Sequence, residues 1–536
     1  MRISRSRLLC VLLCFFCASA SNVAVAQFTE GTAVGTVTDD SGAAVSGAKV
    51  AVTNLGTGHT EEVVTDSIGY YRVLHLSPGA YDVRATMAGF KTAAVQNVII
   101  EVGAITRADV SMQIGSVQET VTVSEGAPLV QTEEGRLSNT ITPREVVDLP
   151  LNGRQVYQLV TLEPGVTATN APVISNVPSP TSSVTFNFGF ISNGSNPRGN
   201  NFILDGNSNN NEWLGGQPLI FPSLDAVQEV LVQTLNFSAE YGSNDGAIVS
   251  IITKSGDNAF HGSGFYSGRN TAWDARNFFD SVGKAPVRLN QFGFSLGGPL
   301  QHDKIFFFLD YEGSRFTAGQ PATVFTENPA YRNSVISSEP NSIATLFFKD
   351  FPGPNCLTPD PNAADTQCLA EIPQIAPNRS DQYLIRVDHN LGGPDRTFAR
   401  WDNDLASGNA GPAELLGAAA RGFSSPFSGF FSDLAIGYTH VFNSGTLNDL
   451  RVSYERNDSN LTLSIPSSTQ TAQILKADGF PPYYFGDLVF DDGTVPFGGN
   501  VFTPRNFVFN TFGANDTLAH LIGRHSLKVG FEFRRI

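Results

Sequence analysis

The first chemistry the sequence offers is metal ligation, at His59-Thr60-Glu61-Glu62, where a histidine and a carboxylate stand three positions apart. A metal site needs convergent ligands. The segment reads as extended, and on a strand residues three apart point to opposite faces, so surface polar residues are expected there and no metal. The eight histidines are scattered, and there is neither a glycine-rich phosphate loop nor a nucleophile elbow. No catalytic residues, no cofactor and no enzyme activity are therefore expected. Two other places offer binding and redox chemistry. In the polar run Asn207-Ser208-Asn209-Asn210-Asn211-Glu212-Trp213, the amides of Asn209, Asn210 and Asn211 could hydrogen-bond a ligand stacked on Trp213. The same run also reads as a solvated loop whose tryptophan packs locally. Cys356 and Cys368 sit in a Pro/Asn/Asp-rich stretch, and an oxidising compartment would let them bridge. Such a closure contributes about 3 kcal/mol by loop entropy.

The elements that position these residues are β-rich. Only 16% of the 536 residues are charged, while Gly reaches 51 and Phe 40, a balance that suits strands better than a helical bundle. With 50 acidic against 34 basic residues the net charge is -16, which leaves no footprint for nucleic acid. The length implies three or four units. Residues 1–26 read as an export signal: Arg2, Arg5 and Arg7, then an apolar core from Leu8 to Ala18, then Ala24-Val25-Ala26. Cleavage is expected between Ala26 and Gln27. An acylated Cys14 or Cys17 is disfavoured, because Leu13 and Phe16 stand where a small residue is wanted.

Residues 27–114 form the first folded unit. Short candidate strands at Ala33–Thr38, Ala48–Thr53, Glu61–Thr65, Tyr70–Leu74, Ala80–Thr86, Val95–Glu101 and Arg107–Met112 alternate with turns such as Ser77-Pro78-Gly79. The spacing predicts a small antiparallel β-sandwich. The series Gly35-Thr36-Val37-Thr38-Asp39, Thr65-Asp66-Ser67-Ile68-Gly69-Tyr70-Tyr71 and Leu76-Ser77-Pro78-Gly79-Ala80-Tyr81 resembles the carboxypeptidase regulatory-like domain. That family is sometimes classed with carbohydrate-binding folds, so the resemblance implies glycan contact only as one option.

The stretch Asn236–Gly256 runs from a polar, glycine-punctuated turn into Ala247-Ile248-Val249-Ser250-Ile251-Ile252-Thr253-Lys254, whose β-branched residues fit a buried strand. After it the pattern changes to apolar/polar alternation. Leu450, Val452 and Tyr454 share one face, with Arg451, Ser453 and Glu455 on the other; Leu527, Val529, Phe531 and Phe533 oppose Lys528, Glu532 and Arg534. A charged face opposite an apolar one is what a strand between lipid and an aqueous lumen requires. Asp402 and Asp404 share a face and are read as lumen lining. Phe292, Phe294 and Leu296 alternate likewise, Gly297-Gly298-Pro299 is expected to open a short connection to Ile305–Glu312, and Thr317–Asp381 is expected to be a long external loop. A soluble sandwich would give the same alternation with shorter loops.

Asn236-Phe237-Ser238-Ala239-Glu240-Tyr241-Gly242, Gly246-Ala247 and Ile251-Ile252-Thr253-Lys254-Ser255-Gly256 resemble the end of the plug in TonB-dependent outer-membrane receptors, most closely the Oar-like group. The resemblance implies a plug over residues 131–258, with a helix starting at Thr142-Pro143, a second short helix over Gln155–Leu162 and a Leu204-Asp205-Gly206 turn. It also implies an outer-membrane barrel over residues 259–536, of about 22 strands if complete. Residues 259–536 suffice for ten or eleven strands, so an open sheet and a longer receptor are expected. Within the linker 115–130, Glu119-Thr120-Val121-Thr122-Val123-Ser124 resembles a TonB box, the peptide gripped by the inner-membrane energy-coupling protein. A last sandwich strand or a plain linker is the other reading of that segment. The partners so implied are that coupling protein, outer-membrane lipid and an unidentified ligand, whether glycan, siderophore, peptide or protein. A surface adhesion or carbohydrate-binding protein without transport is the alternative function.

Overall fold

A computed structural model of the chain describes residues 30–115, 120–124, 137–168, 189–212, 217–242, 244–276, 284, 286–353, 356, 366–392, 395–409, 421, 423–443, 445–464, 469–477, 479, 504–522 and 525–536. The expected signal and its cleavage point, together with Glu119 and Trp213, lie outside the described residues. No described helix is long and apolar enough to cross a membrane, which says nothing of strands.

The first unit is a sandwich of two sheets. One orders β4 (Tyr70–Leu76), β1 (Gly31–Asp39) and β7 (Ile105–Arg107), with β8 (Val110–Met112) also pairing β1. The other orders β3 (Thr60–Val64), β2 (Lys49–Asn54), β5 (Gly79–Thr86), β6 (Thr92–Ile100) and β9 (Thr120–Ser124). Alternate residues such as Val50, Val52, Val83 and Val95 face inward and close one core. The sandwich is not purely antiparallel, as the strand spacing predicts: β7 and β8 run parallel to β1, and β9 parallel to β6. The single strand expected over Arg107–Met112 is broken because the backbone between its halves is bound elsewhere. The Ala108 amide donates to the Val34 carbonyl, and Asp109 accepts from the Thr36 amide at 2.7 Å. This close approach requires Gly35, where any Cβ would overlap the Ala108 carbonyl.

The central unit is a five-stranded mixed sheet ordered β10 (Leu137–Ile141), β15 (Val227–Leu235), β16 (Ile248–Thr253), β13 (Asn201–Leu204) and β14 (Asn207–Ser208); β11 (Val166–Ala168) and β12 (Phe190–Ser192) form a separate pair. Every residue of β16 is buried, as its β-branched run predicts. Helix α1 (Pro143–Asp148) starts where Thr142 and Glu145 make a reciprocal capping box. Val156–Leu162 forms a 3-10 helix that buries Val156, Tyr157, Leu159 and Val160.

The remaining strands form one meander: β17 (His261–Asn270), β18 (Val287–Gln301), β19 (Ile305–Glu327), β20 (Gln367–Gly392), β21 (Asp395–Asn409), β22 (Pro426–Asn443), β23 (Thr446–Leu461), β24 (Arg505–Ile522) and β25 (His525–Arg535), each antiparallel to the next. Nine strands stand where ten or eleven are expected, and among the described residues β17 and β25 have no partner on their outer edges. The sheet is open, as expected. It also wraps: nine strands spaced about 4.8 Å apart would lie far too wide if flat for one small unit to touch both ends. Yet Asp225 of the central unit accepts from Ser263 on β17, while Glu240 and Glu212 pair with Lys528 and Arg534 on β25.

Two expected loops are instead strand. β18 continues through Gly297-Gly298-Pro299, which pair with Phe308, Phe307 and Phe306 of β19, and the two glycines leave room for the His261 and Phe260 rings that a Cβ would strike. The ladder of β19 and β20 extends to Glu327 opposite Gln367, so the expected Thr317–Asp381 loop shrinks to a tip. That tip carries α2 (Pro329–Ser338) and α3 (Ile343–Asp350), and a Cys356–Cys368 disulfide with Cα atoms 5.6 Å apart. A further helix, α4 (Gln470–Ala477), belongs to the connection after β23; Asp350 reaches across to accept from the Thr471 amide at 2.6 Å.

Candidate functional site at the junction of the three units

Alternation along the wrapped sheet turns Leu450, Val452, Leu527 and Val529 outward, each at least 40% exposed, with no second sheet or helix covering them among the described residues. The same alternation sends charged residues inward. Arg400 and Arg451 are among the largest fully buried side chains, and Asp402, Asp404, Asp433, Asp449 and Glu455 are buried beside them. Such charges are costly to bury unless partnered. The two arginines share a partner in one turn.

That turn is Leu204-Asp205-Gly206-Asn207, closing β13 onto β14. Asp205 and Gly206 both have positive φ, +47 and +77, the geometry of a two-residue type I′ hairpin, for which Asp-Gly is a favoured pair. The Asp205 carboxylate accepts from the Thr253 amide at 2.9 Å and from its hydroxyl at 2.8 Å. It also accepts from Arg386 on β20 at 3.1 Å and Arg400 on β21 at 2.8 Å. The Asp205 carbonyl accepts from Arg451 on β23 at 2.7 Å, and the Gly206 carbonyl from Asn515 on β24 at 3.0 Å. Each arginine also pairs with a carboxylate of the wall: Asp388 for Arg386, Asp433 for Arg400 and Asp449 for Arg451. Four strands, β20, β21, β23 and β24, thus converge on two residues of the central unit.

A second anchor lies toward β17. Arg154, at φ +61 after Gly153, pairs with Asp225 at 2.5 Å and reaches Glu312 on β19 at 3.5 Å, its guanidinium 3.7 Å above the Phe265 ring. At the opposite end of the sheet axis the contact is apolar, where Ala406, Phe427, Phe431 and Leu461 of the wall join the core of the central unit.

The sandwich closes the junction from the end with short strand connections. Arg396 on β21 donates to the His75 carbonyl at 2.8 Å, and His75 pairs with Glu30. Burial pushes the Glu30 carboxyl up, but His75 and Arg396 overcome it and hold the group at about 2. Leu74 packs against Leu447, Ala519 and Val441 of the wall. Against the central unit the seat is smaller: Val102 packs on Leu231 and Ile252, and its amide donates to Glu229 at 2.8 Å. Burial, with Glu101 nearby adding to it against the Val102 amide, pushes Glu229 up to about 8. Between the three units lies a cavity of about 400 Å3, lined by Glu30, His59 and Tyr81 of the sandwich, Asp205 and Thr253 of the central unit, and Arg386, Arg396 and Arg451 of the wall.

The residues singled out from sequence fare differently. Thr120–Ser124 form β9, paired in parallel with β6 from Thr92↔Thr120 to Gln96↔Ser124, at the edge of its sheet. Asn209 and Asn211 are each 1% exposed and are not displayed to a ligand. Asn209 donates to Tyr157 and to the Ile220 carbonyl, both at 2.9 Å, and Asn210 donates to Asn201 at 2.8 Å, because a buried amide must satisfy its donors within the fold. His59 pairs with Glu61 at 3.0 Å and Glu62 with Lys49 at 2.7 Å, so His59 and Glu62 do not converge. No group of three metal-ligating side chains occurs among the described residues. Asp402 and Asp404 face inward as expected, Asp404 accepting from Ser380 at 2.7 Å. Sequence reasoning missed Arg386 and Arg400. Their signal was the outward phase of Ile385, Val387 and Trp401 on the same strands, which forces the arginines inward.

Residues 252–536 match the family described as outer membrane beta barrel domain, and residues 32–113 the carboxypeptidase regulatory-like domain. The chain belongs to the outer-membrane β-barrel family. Among characterised proteins it is 28% identical over 303 residues to the TonB-dependent transporter Oar of Myxococcus xanthus, covering 53% of this chain and 27% of that protein. Similar solved structures include the siderophore receptor PirA from Acinetobacter baumannii, with a TM-score of 0.47 at 15% identity over 73% of this chain and 47% of that one. Another is the outer membrane transporter YddB from Escherichia coli, at 0.46 and 12% over 73% and 47%. The chain therefore spans about a quarter of the curated relative and about half of these structures.

Proposed function

We propose that the chain serves energy-coupled uptake of a ligand through the outer membrane, with residues 131–258 as the plug, 259–536 as barrel wall, 27–114 as a periplasmic sandwich and 115–130 as the coupling linker. The observation that carries this reading is the Asp205 turn. An inner unit that merely filled a barrel for stability would do better with apolar packing, since a buried ion pair is a weak stabiliser. A unit that must leave its seat and return to the same place gains from directional, geometrically unique pairs, which specify one docked position. The Asp205 cluster has that character.

Force would enter at Glu119–Ser124. Thr120–Ser124 occupy a sheet edge, where an inner-membrane energy-coupling protein of the TonB type could pair along the backbone, several hydrogen bonds loading together. The ligand stands open among glycan, siderophore, peptide and protein. Deleting Glu119–Ser124 from the full-length receptor tests the reading: uptake of its ligand should be lost while surface binding persists. Unchanged uptake would rule energy coupling out.

A further inference from the structure

The outward face of the wall carries a groove that transport leaves unused. Cross-strand register arranges that face in rows. One runs Arg379, Ser407, Ser428 and Asn460 across β20 to β23; the next runs Asp381, Leu405, Phe430 and Asp458. The two serines are short, so a groove of about 410 Å3 opens over Ser407, Ser428 and Gly429, flanked by Arg379 and Asp458 and bordered by Leu405 and Phe430. Two rows further along stand Ile385, Trp401, Leu434 and Tyr454, the first three exposed. Aromatic and aliphatic side chains turned to the outside mark the lipid band, with aromatics at its rims. The groove lies at the end of that band nearest the long connections, which are the external ones in barrels of this kind.

Its charge is unusual for so acidic a chain. Arg315 and Arg379 are cross-strand neighbours, and both turn to the single carboxylate of Asp381, at 2.7 and 2.8 Å. Asp458 is held by Arg456 at 2.6 Å. The groove's own lining sets Arg379 against Asp381 and Asp458; Arg315 and Arg456 beside it bring the cluster to three guanidiniums against two carboxylates, one net positive charge in a protein whose net charge is -16. The Arg379 side chain is 60% exposed and spends one nitrogen on Asp381. A guanidinium has five donors in a fork that matches phosphate.

We propose that this groove seats a phosphate-bearing lipid of the outer leaflet, Arg379 taking the phosphate while Leu405 and Phe430 receive the start of an acyl chain that continues down the apolar rows. The full-length receptor is reconstituted in phosphatidylcholine vesicles, with or without added diphosphoryl lipid A, and its thermal unfolding is followed. Lipid A should raise the Tm of the unaltered protein. Arg379→Ala, at an exposed side chain, and Ser428→Phe, which fills the groove without changing charge, should each lose that increment while matching the unaltered protein in phosphatidylcholine alone. Retention of the full increment by Arg379→Ala would overturn the proposal, as would equal protection by inorganic phosphate. So would an equal loss in Arg144→Ala, whose exposed guanidinium belongs to helix α1 of the central unit and not to the groove, since that would mean general charge adsorption.

Discussion

The central unit has two seats, built from different materials. In the wall it is held by paired charges: one turn at Asp205 gathers Arg386, Arg400 and Arg451, and Arg154 gathers Asp225 and Glu312. On the sandwich it is held by three apolar side chains, Val102, Leu231 and Ile252, and a few uncharged hydrogen bonds, among them the Val102 amide to Glu229 and the Asn258 amide to the Gly56 carbonyl at 3.0 Å. Buried charge pairs are directional and fail as a set, because losing one partner strands the others in a low dielectric. A small apolar contact is tolerant of angle and comes apart gradually. The contrast teaches an order of events: tension applied on the N-terminal side of the central unit would load the weak sandwich seat before the ionic one.

The largest expected effect comes from breaking the ionic seat. Asp205→Ala removes the carboxylate shared by Arg386 and Arg400 and should cost the central unit about 3–5 kcal/mol, the usual range for orphaning a buried partner. Denaturant unfolding followed by a probe within residues 190–253 would measure it. Asp205→Asn, which keeps the turn and an acceptor for the Thr253 amide, should cost less. A loss below about 1 kcal/mol in Asp205→Ala would put the two seats on equal footing and break the comparison.

Much of the architecture was legible beforehand, for a physical reason. Period-two alternation is local, so Leu450 against Arg451, or Leu527 against Lys528, declares two environments without any knowledge of the partner strand. The cap at Thr142-Pro143 and the buried strand after Gly246 are local signals too. What the sequence hides is convergence. Arg451 meets the Asp205 carbonyl across 246 positions, and nothing in either neighbourhood names the other. The asparagines at 209–211 misled as a candidate ligand loop because polar runs look alike whether they face water or satisfy one another inside a fold; only Tyr157 and the Ile220 carbonyl reveal which. The parallel placement of β7, β8 and β9 was likewise invisible, since strand direction depends on where the intervening chain crosses.

A middle-sized effect should come from pH at the sandwich seat. Burial pushes Glu229 up from 4.5 to about 8, with Glu101 of the sandwich as the neighbouring titratable group adding to the shift. Below about 4.5 the carboxyl is protonated whether docked or free. Between 4.5 and about 8 the free state gives up a proton that the docked state keeps, so docking weakens steadily through that window and reaches its floor above it. Spin-label distances between the sandwich and the central unit should lengthen or broaden as pH rises from about 5 to about 8. Glu229→Gln, neutral at every pH and still an acceptor for Val102, should abolish that dependence and stay docked. A dependence that survives in Glu229→Gln would move its origin elsewhere.

The smallest effect sharpens what makes the ionic seat strong. Lys528 on β25 pairs with Glu240 of the central unit at 2.7 Å, close to the 2.8 Å at which Arg400 reaches the Asp205 carboxylate, yet its side chain is 38% exposed where that of Arg400 is 0%. Distance alone predicts equal contributions; solvent screening predicts a large difference. An exposed pair contributes about 0–1 kcal/mol and fades with salt, so Lys528→Ala should shift the unfolding of the central unit by less than about 1 kcal/mol, and by nothing measurable in about 1 M salt. Asp205→Ala should keep most of its cost under the same salt, because its partners are sheltered by the wall. If Lys528→Ala proved as damaging as Asp205→Ala, burial would not be what distinguishes the Asp205 turn, and the seat would be a ring of equivalent contacts around the central unit with no single anchor.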